Sequence, residues 1–150
     1  MDVTFHSELP LLMRSQLESV FFFNPKQASL VDQISQVIKE HGVPEIREAN
    51  GRITLTLRGN AHTQTVFGVN SRRPEILEGV IIYARSNYPE ILVLHLALAR
   101  FQFASKLAVS ETGKTANFLG LITAFIKLAK SIVGVERLRF AYWNLAIPVV

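Results

Sequence analysis

Ile91-Leu92-Val93-Leu94-His95-Leu96-Ala97-Leu98 is the stretch that most constrains this chain. Successive side chains of a strand point to opposite faces. Leu92, Leu94, Leu96 and Leu98 therefore line one side, and Val93, His95, Ala97 and Ala99 the other. Both sides are apolar, so the strand has to be central in its sheet and covered on each face. The alanines leave room beside His95, either for a helix or for a ligand. The apolar run is also far shorter than the roughly 20 residues that a membrane-crossing helix needs.

The flanking residues place this strand in a hairpin. Leu77–Arg85 reads as a strand, Ser86-Asn87-Tyr88-Pro89 as a turn, and Glu90–Arg100 as the return. After a loosely patterned Phe101–Val109, a polar stretch follows at Ser110-Glu111-Thr112-Gly113-Lys114-Thr115 and reads as a loop with a glycine. Lys114–Val133 then carries a helical stripe of Phe118, Leu121, Ile122, Phe125, Leu128, Ala129 and Ile132, and Gly134 stops it. Val135–Tyr142 reads as a last strand. Trp143–Val150 is a short apolar tail in which Pro148 breaks any helix.

The N-terminal half is more varied. Leu11, Leu12, Met13 and Leu17 suit a short helix after Pro10, and Val20-Phe21-Phe22-Phe23 reads as a buried strand stopped by Asn24-Pro25. Ser29–His41 has a helical face of Leu30, Val31, Ile34, Val37, Ile38 and His41. Gly42 supplies its left-handed stop, and Pro44 forbids continuation. Gly51–Arg58 alternates, with Ile53, Leu55 and Leu57 inward and Thr54 and Thr56 outward, after an Asn50-Gly51 hairpin signal. Thr63–Val69 reads as its return strand. Strands and helices do not alternate regularly, so the pattern predicts an α+β domain with a mixed, mainly antiparallel central sheet flanked by helices.

The chain has 150 residues, enough for one domain with a real core, and residues 1–150 read as that single domain. Cysteine is absent, which excludes disulfides, thiolate metal sites and cysteine nucleophiles. His6, His41, His62 and His95 are scattered, with no ligand pair at i and i+4, so no metal site is expected. No apolar leader follows the acidic Asp2, so a soluble cytoplasmic protein is the default expectation, with no membrane partner. The net charge of +4 suits an anionic ligand.

Gly113-Lys114-Thr115 has the form of a P-loop's end, but the leading glycine of that motif would fall on Ala108. A nucleotide hydrolase is thereby rejected. A glycine near a helix start still bares amide hydrogens to an anion, and Lys106 and Lys114 add charge. The same residues read equally as an ordinary capped loop. His95 likewise reads as a buried neutral histidine or as a base.

From about Leu77 to Phe140 the chain resembles the GNAT superfamily of acyl-CoA-dependent N-acyltransferases. The residues that carry the resemblance are the Glu78-Gly79-Val80-Ile81 hairpin strand and the central strand Ile91–Leu98. The polar loop, the long helix and the Leu138-Arg139-Phe140 strand follow in the same order. The N-terminal strand and the Ser29–His41 helix fit the family's opening. In the family's pyrophosphate loop the key slots hold Arg or Gln, then Gly, then Gly or Ala; here they hold Ser110, Gly113 and Thr115. Asn144, Ala146 and Ile147 resemble the helix that comes next in the family, and the strand pair that closes its sheet has no counterpart in the sequence.

The resemblance implies transfer of an acyl group from acetyl-CoA or another acyl-CoA to an amine, on a small molecule or a peptide. It implies a thioester carbonyl held by a backbone amide near Leu98, and a pyrophosphate on Gly113, Lys114 and Thr115. His95 and Glu90 are the base candidates, and Tyr142 is the candidate acid for the leaving thiolate. Glu90 also reads as a turn charge, and Tyr142 as packing beside Trp143. The alternative is a catalytically inactive ligand- or protein-binding module forming a homodimer, with the three phenylalanines as its sticky edge. A nucleic-acid binder using Arg47, Arg52, Arg58, Arg72, Arg73 and Arg85 ranks third, because no aromatic platform stands among these arginines.

Overall fold

The computed structural model describes residues 2–19, 31–85, 89–98, 111–132, 134–140 and 145–149; for residues 31–35, 98, 111–119 and 145–146 it describes the backbone alone. The phenylalanine strand expected at 20–23, the turn residues 86–88 and the stretch 99–110 lie outside the described residues.

The expected central strand is β7, Glu90–Leu98. It lies within a six-stranded sheet that also contains β1 (Val3–His6), β5 (Thr63–Asn70), β6 (Leu77–Ala84), β8 (Arg137–Phe140) and β9 (Leu145–Pro148). The spatial order is β1-β5-β6-β7-β8-β9. The β7–β8 pair is parallel, and the other neighbouring pairs are antiparallel. A smaller antiparallel sheet is formed by β2 (Leu9–Pro10), β4 (Arg52–Leu57) and β3 (Pro44–Ala49), in the order β2-β4-β3. The helices are α1 (Arg14–Glu18), entered through a 3-10 turn at Leu11–Met13, α2 (Val31–His41) and α3 (Glu111–Lys130). The protein is therefore α+β with a mixed, mainly antiparallel sheet. Among the described residues no helix is long and apolar enough to cross a membrane.

Two apolar clusters cover the two faces of the main sheet. On one face Leu121, Ile122, Phe125 and Ala129 of α3 pack on Ile81, Tyr83, Ile91, Val93, Leu96, Leu138 and Phe140. Phe125 is the anchor, with its ring 5.9 Å from Phe5 and 5.3 Å from Tyr83. On the other face Val80, Ile82, Leu94 and Ala97 join Leu9, Met13, Leu17, Val37, Ile53, Leu55 and Leu57 from the smaller sheet and the N-terminal helices. The doubly apolar composition of β7 is thus used on both sides.

A glycine pair seats α3. Gly68 and Gly79 face each other across β5 and β6. A Cβ on Gly79 would lie 2.5 Å from Leu121 Cδ2 and 2.9 Å from the Ala97 carbonyl oxygen. Only residues without a side chain let the leucine approach the sheet so closely.

Several expectations need correction. The Asn50-Gly51 turn is present, with φ of 54° and 75°, but it joins β4 to β3, a strand not anticipated at Pro44–Ala49. Glu45, Arg47 and Glu48 hide β3 from a hydropathy reading, because a charged edge strand has no apolar alternation. Thr63–Asn70 does not return beside β4; it crosses into the larger sheet and pairs with β1 and β6. On α2, Val37 is buried but Ile38 is exposed. The Gly42 stop is present with φ of 113°, and a Cβ there would strike the Arg58 carbonyl oxygen. At the C-terminus Ala146 and Ile147 lie in a strand, β9, antiparallel to β8, and not in a helix. Asn144 falls outside the described residues.

Candidate functional site

Among the described residues β7 and β8 run parallel over four residue pairs, Glu90↔Arg137 to Val93↔Phe140. β7 then continues through Leu94–Leu98, and among the described residues this second half has strand pairing to β6 alone. The register on β6 slips at the same place: Tyr83 faces Val93, and Ile82 faces His95. Leu94 is the unopposed residue of a β-bulge. A bulge takes one residue out of the ladder and reverses the alternation that follows.

That reversal changes the expected faces. Leu92 and Leu94 belong to the cluster under the smaller sheet, yet Leu96 belongs to the α3 cluster. His95 and Ala97 oppose Ile82 and Val80, and so stand on the smaller-sheet side. The sequence could not show the slip, because an unbroken apolar run carries no alternation to interrupt.

His95 is 3% exposed. Burial drives its pKa down to about 3, so the imidazole is neutral across the physiological range. Leu98 pairs with Gly79 three residues further along the strand, about 10 Å away at strand rise. The structure thus brings His95 and the Leu98 backbone to the same half of β7.

Glu90 lies at the opposite end, about 26 Å from Leu98 at strand rise. It is buried, and its Oε1 accepts from Arg137 Nε and Arg139 Nε, each at 3.0 Å. The sequence reading missed these arginines as partners. Their signal is the alternation Arg137-Leu138-Arg139-Phe140, which sends both arginines to one face, while parallel pairing brings Glu90 beside them.

Gly113, Lys114 and Thr115 lie in the opening turns of α3 and not in a loop, because the helix begins at Glu111. A helix that connects two parallel strands runs back against them, so its start lies toward the C-terminal end of the first. Leu121, which contacts the Gly79 position opposite Leu98, fixes the distance. Gly113 is eight residues earlier in the helix, about 12 Å along its axis. The helix start and the second half of β7 therefore share one end of the sheet. Tyr142 lies outside the described residues.

A separate cavity of about 200 Å3 lies between the two sheets, lined by His6, Glu8, Leu9, Met13, Arg52 and Val69 among others. Arg52 already pairs with Glu8 at 3.1 Å there, and none of the anticipated site residues lines it. Among the described residues no group of three histidines and carboxylates is placed to hold a metal ion.

No family model matches the sequence. No curated protein matches it either. Among solved structures, the chain is similar to one from Desulfovibrio desulfuricans assigned to the acetyltransferases of the GNAT family. The identity is 15%, with 91% of this chain and 70% of that chain covered and a TM-score of 0.39.

Proposed function

We propose that this chain is an acyltransferase that moves an acyl group from acetyl-CoA or another acyl-CoA to an amine on a small molecule or peptide. The observation that supports this reading is the β7–α3–β8 unit. Among the described residues its parallel pair spans Glu90–Val93 and Arg137–Phe140, while β7 runs on through a bulge to Leu98. An extended arm would add as a strand does along that second half, on the side away from β6.

The thioester supplies an activated acyl carbon. This chain's part is to hold it and to manage two protons. A main-chain amide near Leu98, or one at the Leu94 bulge, would donate to the carbonyl oxygen as negative charge develops there. The opening turn of α3, with Gly113, Lys114 and Thr115, would take the pyrophosphate at the positive end of the helix. As the C–N bond forms and the C–S bond breaks, the amine gives up a proton and the thiolate gains one. His95, with a pKa near 3, is a weak base at neutral pH. It is assigned here as a neutral hydrogen-bonding group, and the amine reacts as its free base. Tyr142 is the proposed acid for the thiolate. Glu90, held by two arginines far from Leu98, is given a positioning role in joining β7 to β8.

Calorimetric titration with acetyl-CoA and CoA tests the reading, with Lys114→Ala alongside. Micromolar binding to the native chain, weakened about tenfold in the variant, is expected for loss of one charged hydrogen bond. Absence of binding at millimolar cofactor would overturn it and leave the inactive, dimer-forming binding module as the reading to pursue, by sedimentation.

A further inference from the structure

Arg137 and Arg139 leave the same face of β8 and converge on one carboxylate oxygen of Glu90. The Glu90 side chain is 5% exposed, while the arginine side chains retain 54% and 47%. Two positive charges thus share one negative charge. Among the described residues no second carboxylate stands within ion-pair reach of either guanidinium. Each arginine contacts Glu90 through its Nε, and a guanidinium carries further N–H donors on its Nη atoms. A guanidinium fork matches the spacing of oxygens on carboxylate and phosphate. Because Glu90 already fixes both side chains, little further ordering is needed when an anion arrives.

We propose that Arg137 and Arg139, held side by side by Glu90, form a seat for a small oxyanion, either a carboxylate or a phosphate monoester. The seat lies at the end of β7 opposite Leu98. It is separate from the acyl-transfer site and stands or falls independently of it.

The test is a nuclear magnetic resonance titration of the full chain, following backbone amides. Inorganic phosphate and acetate are added in separate arms, with ionic strength matched by chloride. Saturable shifts at the amides of Arg137–Arg139 are expected in at least one arm, and the arm that saturates at lower concentration identifies the anion class. Arg139→Gln is expected to weaken that binding about tenfold. Arg139→Lys keeps the charge but loses the fork, and should weaken it by less while preserving the fold. Arg47→Gln on β3 should leave it unchanged. Shifts that follow chloride equally, or equal affinity in the native chain and both Arg139 variants, would overturn the proposal.

Discussion

Glu90–Val93 and Leu94–Leu98 are two halves of one strand, nearly alike in composition and held in different ways. The first half pairs on both sides, with β6 and with β8, and is tied by a buried carboxylate to two arginines. The second half begins at a bulge, pairs with β6, and carries a buried neutral histidine. The difference teaches that hydropathy sets a strand's depth in the fold, while register and neighbours set which part of it can meet a ligand. In this chain the first half is anchored to β8, and the second half is the one proposed to meet the acyl donor.

The largest expected effect falls on the anchored half. Glu90→Ala removes the carboxylate and leaves two arginines facing each other. Removing one partner of a buried pair costs about 3–5 kcal/mol. Because both arginines are half exposed, about 2–3 kcal/mol is expected here, read by urea unfolding. A loss below half a kcal/mol would remove the contrast between the halves.

The next effect belongs to His95. Its folded pKa, near 3, lies below the ordinary histidine value. Below about pH 6.5 the unfolded chain therefore binds a proton that the folded chain refuses. Stability is full above that pH and falls as pH drops toward 3, by about 1.4 kcal/mol per pH unit at most. His95→Leu should flatten this slope. An unchanged slope between pH 6.5 and 5 would place the histidine in water. For the same reason, the rate of acyl transfer should follow the amine's own deprotonation, with no His95 inflection between pH 5 and 8.

A smaller loss is expected at the seat of α3. Gly79→Ala would push against Leu121 and against the Ala97 carbonyl, which as backbone yields little. About 1–2 kcal/mol is expected, as for other overpacked cores. Near-neutral behaviour would show that α3 can shift without cost, and the second half of β7 would then lack a fixed backing.

Much of this arrangement was legible in the sequence, and the gaps have physical causes. The β4 alternation, the Asn50-Gly51 turn, the β6–β7 strands and the α3 stripe follow from local periodicity, and each appears. Val3–His6 escaped because its alternation lasts only four residues, the lower limit for a run that reads as a strand. Leu145–Pro148 escaped because a terminal proline suggested only a break, yet Pro148 sits at the end of an edge strand, where a missing N–H is tolerated. Of the candidate site, the sequence singled out β7 as a covered central strand and His95 as a buried histidine, and both are observed. It could not place the bulge, which an all-apolar run conceals, or the Glu90–Arg137–Arg139 cluster, which depends on parallel pairing of residues 47 and 49 positions apart.

The measurement that tests the central claim most directly is amide hydrogen exchange along β7, with and without acetyl-CoA. Added protection is expected at Leu94–Leu98 and at the first turn of α3, with Ile91–Val93 unchanged. No change at Leu94–Leu98 under saturating cofactor, or equal change along the whole strand, would contradict it.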